Sequence, residues 1–174
     1  SQAGKKYDFY CVVQSNNDLP GMTIKLTKTG DDNSFYFADK HVIAAYEDYV
    51  YQVVGMDGID MEKISLFFDF GGNPAGTEVT IKDIVFREHV ESGNAGGGSG
   101  ATVIDPNSPD NMWLSMSVEE MFYYYAPGWN PIENPETEVN GNSLTVTLPE
   151  ATTDQWQAQV AFRTDLSSQA GKKY

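Results

Sequence analysis

Apolar residues recur at every second position along most of the chain, the period of a strand that buries one face. The clearest stretch runs from Ile64 to Phe86. Ile64, Leu66, Phe68 and Phe70 fall on one side, and Gly71-Gly72-Asn73-Pro74 then breaks the strand. Glycine permits positive φ, and proline cannot donate to a ladder. Val79, Ile81, Ile84 and Phe86 form a return strand, and the step from Ile81 to Ile84 predicts a bulge. Phe67 falls on the face opposite the apolar set, between Ser65 and Asp69. An aromatic beside a carboxylate on the outer side of a sheet suits a surface that holds something flat. A solvent-exposed ring or a contact with a second sheet is the plainer reading of the same position.

The same alternation places a strand over Tyr7 to Gln14 and another over Met22 to Thr27, with a turn at Gly30-Asp31-Asp32-Asn33. Ser34-Phe35-Tyr36-Phe37 is a short aromatic segment. Val42 to Tyr46 and Tyr49 to Val54 read as two further strands. Met112 to Met116 and Met121 to Tyr125 are strand-like, and a turn over Ala126 to Pro131 holds Trp129. Asn140-Gly141 is a hairpin signal before the alternating Ser143 to Leu148. Trp156 to Arg163 is the last strand, followed by a loop from Asp165 to Gly171. No 3.6-residue apolar period persists. Many short strands separated by turn signals predict an all-β sandwich or barrel.

Composition narrows the function classes. The chain has 174 residues, enough for one domain with a full core. A net charge of −14 makes polyanions poor partners, so nucleic acid and anionic membrane surfaces are disfavoured. The one cysteine, Cys11, lies in an apolar strand and forms no intrachain disulfide, which does not exclude export. No apolar run reaches the length of a membrane span and no signal-peptide pattern opens the chain; a domain excised from a larger protein would lack one too.

Ser1-Gln2-Ala3-Gly4-Lys5-Lys6-Tyr7 recurs unchanged as Ser168 to Tyr174, and residues 91–100 form a Gly/Ser-rich linker. Circular permutation explains both. Residues 1–90 would be the original C-terminal part and 101–174 the original N-terminal part of one 174-residue module. A natural tandem repeat is the alternative, although nothing else in the chain repeats. Two copies of Gly-Lys-Lys-Tyr then compete for one strand position, so the chain is expected to be a monomer or an oligomer exchanging that strand.

In the restored order, several motifs fall into one pattern: Gly128-Trp129, Asn142 to Val146, Trp156-Gln157-Ala158-Gln159, Gly171-Lys172-Lys173-Tyr174 running into Asp8-Phe9-Tyr10, Leu66 to Gly72, and Ile81-Lys82-Asp83-Ile84. Nearly the whole chain resembles the family 4 carbohydrate-binding modules and their relatives in families 9, 16 and 22. The resemblance implies a β-sandwich jelly roll of two antiparallel sheets, circularly permuted here. It also implies a groove across the concave sheet that binds a single chain of xylan or β-glucan. Such modules are attached to glycoside hydrolases secreted by bacteria, which implies an extracellular or cell-surface location. Sugar rings stack their C–H faces on aromatics, and their hydroxyls need side chains that both donate and accept.

Trp156 and Gln159 match groove residues of that family, with Gln157 and Arg163 on the same outer face as Gln159. Trp156 has core parity at its strand's start, so ordinary packing is the alternative. Phe67 and Asp69 share the outer face of the neighbouring strand, and Tyr36 is the choice among Phe35, Tyr36 and Phe37 for a second stacking ring. Tyr10 and Gln14 share the outer parity of the first strand and are weaker candidates; Trp129 reads as structural. His41 and His89 lack ligand spacing for zinc. The resemblance also implies a structural calcium, for which Asp83, Glu119 and Glu120 would supply oxygens, although Lys82 stands where relatives carry an acid. The reading is a binding module rather than an enzyme. Two other readings remain: a jelly-roll glycoside hydrolase, and a structural or engineered sandwich without ligand.

Overall fold

The computed structural model describes residues 4–91, 104–116, 118–125, 132–133, 137–140 and 143–170, with backbone alone at 118–121, 132–133 and 137–140. Its strands are β1 (Lys6–Ser15), β2 (Leu19–Lys28), β3 (Asp31–Ile43), β4 (Tyr49–Asp57), β5 (Ile64–Asp69), β6 (Glu78–Glu88), β7 (Val118–Tyr124), β8 (Ile132–Glu133), β9 (Thr137–Asn140), β10 (Ser143–Thr147) and β11 (Ala158–Thr164). They form two antiparallel sheets, ordered β4-β1-β6-β10-β9 and β3-β2-β5-β11-β7-β8. This is the all-β sandwich that the alternation predicts. Phe9, Cys11, Val13, Val79, Ile81 and Val146 from one sheet are buried together with Met22, Ile24, Leu26, Leu66, Phe68, Val160 and Phe162 from the other. Each large apolar side chain buried in this way stabilises the fold by about 1.5–3 kcal/mol.

The expected bulge lies on β6. Tyr10 pairs with Val85 and Val12 with Lys82, so Asp83 and Ile84 share the single position opposite Cys11. Asp83 takes φ 55°, the left-handed region that non-glycine residues adopt at a cost. The extra residue shifts the parity, which brings both Ile81 and Phe86 into the core. The hairpin signal at Asn140 also holds, since β9 pairs with β10 through Asn140 and Ser143.

Three elements differ from the expectation. The aromatic segment and the strand after it join into the single strand β3, which ends before a turn where Tyr46 has φ 62°. Met112–Leu114 is a 3-10 helix rather than a strand. Its alternating Met112, Leu114 and Met116 imitate a strand, but the buried Asn111 side chain caps it. Asn111 Oδ1 accepts from Trp113 N–H at 3.0 Å and from Phe86 N–H at 3.1 Å, and Nδ2 donates to the Ile84 carbonyl at 3.1 Å. Trp156 lies in a second 3-10 turn, Gln155–Gln157, so the last strand starts two residues later than expected. The expected turn with Trp129 and linker residues 92–100 lie outside the described residues.

Gly4 to Tyr7 of one copy of the duplicated heptapeptide and Ser168 to Ala170 of the other are among the described residues. The two parts meet at Gly58. A Cβ there would lie 2.1 Å from the Gln169 carbonyl oxygen and 2.7 Å from that of Lys5. Gly58 N–H donates to the Lys5 carbonyl at 2.8 Å, and Ala170 N–H donates to Asp60 Oδ1 at 2.8 Å.

Candidate functional site

The outer face of the six-stranded sheet gathers most of the expected residues. Alternation along β5 turns Phe67 and Asp69 outward while Leu66 and Phe68 are fully buried. On β11 the same period turns Gln159, Ala161 and Arg163 outward. Register then fixes the rows. Phe67 sits between Lys25 of β2 and Ala161 of β11, and Asp69 sits between Thr23 and Gln159. Gln159 in turn pairs with Tyr123 of β7. Phe67, Asp69, Gln159 and Arg163 are therefore brought together.

The face is held by charge as well as register. Lys25 Nζ lies 3.1 Å from Asp69 Oδ2 and 5.2 Å from the Phe67 ring centre, so one cation serves a carboxylate and an aromatic face. Asp69 is only 6% exposed. Burial pushes its carboxyl above the usual carboxylate range, against the opposing pull of Lys25 and a hydrogen bond with Gln159. The Arg163 guanidinium lies 6.0 Å from the Tyr123 ring centre.

Trp156 stands at the rim of this face. It is 37% exposed, with its ring 5.8 Å from that of Tyr125 and tilted by 48°. Its turn packs on Gly71, where a Cβ would come within 2.1 Å of the Asp154 carbonyl oxygen and 2.7 Å of that of Gln155. Only glycine admits that approach, and Gly71 N–H donates to the Gln155 carbonyl at 2.8 Å. Gln155 Oε1 also accepts from Thr23 Oγ1 at 2.8 Å, tying the turn to β2.

Gln157 does not share a strand face with Gln159. It belongs to the 3-10 turn, and its Oε1 accepts from the N–H groups of Thr153 and Asp154, both at 2.8 Å. That oxygen is committed to closing the turn. Tyr36 is likewise turned away from the face. Leu26 pairs with Phe37 and Thr27 with Phe35, so Tyr36 is the extra residue of a bulge. Its ring packs edge-on to Tyr7 at 6.1 Å, and its hydroxyl accepts from Ile59 N–H at 3.0 Å and bonds Ser168 Oγ at 2.7 Å. Phe37 is core, and the exposed member of the trio is Phe35, at 47%. Tyr10 and Gln14 lie on β1, in the five-stranded sheet, and do not join the site.

Lys25, Tyr123 and Phe35 were not singled out from the sequence. The outward parity of Thr23, Lys25 and Thr27 was visible, but which strand lies beside β5 was not. Beyond Phe67, small side chains on the same face leave a hollow of about 480 Å³, lined by Lys28, Thr29, Gly30, Asp32, Ser65 and Arg163 with Phe67 as one wall.

Asp83 and Glu120 do not share a sheet: Asp83 is at the β6 bulge, and Glu120, described as backbone, pairs with Phe162 from β7. No group of three His, Cys, Asp or Glu side chains suited to a metal occurs among the described residues. His41 Nδ1 lies 2.6 Å from the Tyr49 hydroxyl, and His89 Nδ1 lies 2.7 Å from Asp8 Oδ1. No described helix is long and apolar enough to cross a membrane. In comparisons with known proteins, the chain matches no protein-family model and no curated protein.

Proposed function

We propose that this chain is a non-catalytic polysaccharide-binding module that takes one chain of xylan or β-glucan along the outer face of its six-stranded sheet. The observation that carries the reading is the partly exposed Phe67 ring, flanked on its own face by Lys25 and Asp69 and backed by a buried apolar core. A flat apolar face among donors and acceptors suits a sugar ring, which presents C–H groups on its faces and hydroxyls at its edge. Trp156 at the rim adds a second ring. The test is affinity electrophoresis through gels containing xylan, barley β-glucan or hydroxyethylcellulose. Retardation by one of them, reduced in Phe67→Ala, is the expected result; unchanged mobility in every gel removes the reading.

A glycoside hydrolase is the second reading. Its candidate carboxyl is Asp69, which lies on the outer face beside Phe67, is 6% exposed and is raised by that burial. Release of reducing sugar that disappears in Asp69→Asn would replace the binding reading with this one. By the same resemblance we infer a permuted chain order, an attached glycoside hydrolase and an extracellular site of action. The meeting of Ser168 to Ala170 with Gly4 to Tyr7 at Gly58 supports the permuted order.

A further inference from the structure

We propose that the hollow between Phe67 and Arg163 receives an acidic sugar unit, a uronic acid branch on the polysaccharide, with its ring against Phe67 and its carboxylate on Arg163 and Lys28. This rests on the polysaccharide reading and adds the class of substituent.

The argument begins from charge. In a chain of net charge −14, basic side chains are expected to find carboxylates. Lys5, Lys6, Lys25, Lys82 and Arg87 do so, pairing with Glu88, Asp57, Asp69, Asp48 and Asp8. Lys28, Lys40, Lys63 and Arg163 pair with none among the described residues, and of these four Lys28 and Arg163 line the same hollow. One carboxylate, Asp32, also lines it, and Glu119 stands opposite Arg163 on β7 as a described backbone position.

The shape of the hollow follows from the register. Arg163 pairs with Ser65, and Ser65 with Thr27, so two short side chains lie beside a long one. Ala161, the next outward residue on β11, is also small and sits beside Phe67. Ser65 Oγ and Thr29 Oγ1 bond each other at 2.6 Å, which draws the β2–β3 turn over the hollow's edge. A volume of about 480 Å³ leaves room for a sugar unit. An aromatic wall with two cations at the rim fits a sugar that carries a carboxylate better than a neutral one, because a guanidinium binds a carboxylate through paired, charge-assisted hydrogen bonds. The negative charge of the whole chain does not oppose this. A single branch carboxylate meets the local cations at contact distance, whereas the remaining charges are screened within about 8–10 Å.

The test is a calorimetric titration with a neutral xylo-oligosaccharide and with the same oligosaccharide carrying one glucuronic acid branch, at a low salt of about 0.1 M and a high salt of about 1 M. The expected result is about fivefold tighter binding of the acidic ligand at low salt, the scale of a partly exposed ion pair. That ratio should fall toward one at high salt and in Arg163→Gln or Lys28→Gln, while Arg163→Lys retains it in part. Equal affinity for both ligands, or a preference that both glutamine variants keep, overturns this inference and leaves the polysaccharide reading standing. Failure to bind either one, in a panel that also includes β-glucan, removes both. If β-glucan binds and neither xylo-oligosaccharide does, only the acidic-sugar inference is lost.

Discussion

The backbone N–H of Gln169 donates to the hydroxyl of Tyr7 at 3.0 Å, joining residues 162 positions apart in sequence. Each residue belongs to a different copy of the duplicated heptapeptide. Tyr7 is 2% exposed and stacks on Phe86, with ring centres 5.1 Å apart and planes within 4°. Truncating a buried aromatic of this kind costs about 3–5 kcal/mol. Here an identical Gly-Lys-Lys-Tyr follows Ala170, which already lies at the seam. On the reading that the two copies compete for one strand position, Tyr7→Ala alone is expected to lose less than that amount, because the second copy carries the same tyrosine in its sequence. The double variant Tyr7→Ala/Tyr174→Ala is expected to lose all of it. Urea denaturation measures both, and an equal loss in the single and double variants would remove the idea of a shared strand position.

Trp156 is exposed enough for its removal to spare the fold. Trp156→Ala should weaken polysaccharide binding by about 1–3 kcal/mol, on the scale of a flat ring stacking on an aromatic. Titration gives the affinity, and circular dichroism checks the fold. Normal binding in a folded variant would assign Trp156 to packing against Tyr125.

Asp8 is a fully buried carboxylate. Arg87 Nε donates to its Oδ2 at 3.1 Å, and Gly55 N–H donates to its Oδ1 at 2.9 Å. Arg87→Met keeps much of the volume but removes the guanidinium, leaving the buried carboxylate with Gly55 N–H and with His89 Nδ1 at 2.7 Å. The expected loss is up to about 3–5 kcal/mol, the cost of a buried ion pair broken from one side, reduced by the two partners that remain. Asp8→Asn/Arg87→Met should recover part of it in the same denaturation experiment, since no charge is then left alone.

The raised Asp69 carboxyl fixes the sign of a pH effect. Its folded-state value lies above the ordinary carboxylate value, chiefly because of burial, so near that range the folded chain holds a proton that the unfolded chain has lost. This residue's contribution therefore favours folding at acid pH. It declines as pH rises from about 4 through the folded value, and is flat above. Asp69→Asn should remove that slope. Subtracting the parent's melting curves from the variant's between pH 3 and pH 8 isolates it. A difference that ran the other way would mean that Lys25 outweighs burial.

His41 works in the opposite direction. Burial lowers its value below the usual imidazole range, against a smaller opposing pull from Asp39. The unfolded chain then binds the proton more readily, so stability is lost as pH falls below about 6.5. His41→Phe should flatten the melting temperature over that window, and an unchanged acid slope would count against the buried neutral ring.

Much of the candidate face was legible in local sequence. Phe67 and Asp69 could be placed outward from Ile64, Leu66, Phe68 and Phe70 alone, because side-chain direction alternates along one strand and needs no neighbour. Gln159 and Arg163 followed in the same way. Tyr36 failed for a local reason of another kind. A bulge between Leu26 and Thr27 inverts the parity of the trio, and nothing in Phe35-Tyr36-Phe37 marks which of three aromatics is the extra one. Gln157 failed because its side chain caps a turn, and that turn depends on the close approach of Gly71, 86 positions away.

Alternation and turn residues determined the all-β class, the inward set on most strands and the bulge on β6. All of these are decided within a few neighbouring residues. The order of strands across each sheet was decided only by tertiary structure, and with it the meeting of Lys25 with Phe67, the hollow beside Arg163 and the joining of Gln169 to Tyr7. Strand pairing is a long-range choice, settled by how two whole apolar faces pack, and no single stretch of sequence carries it.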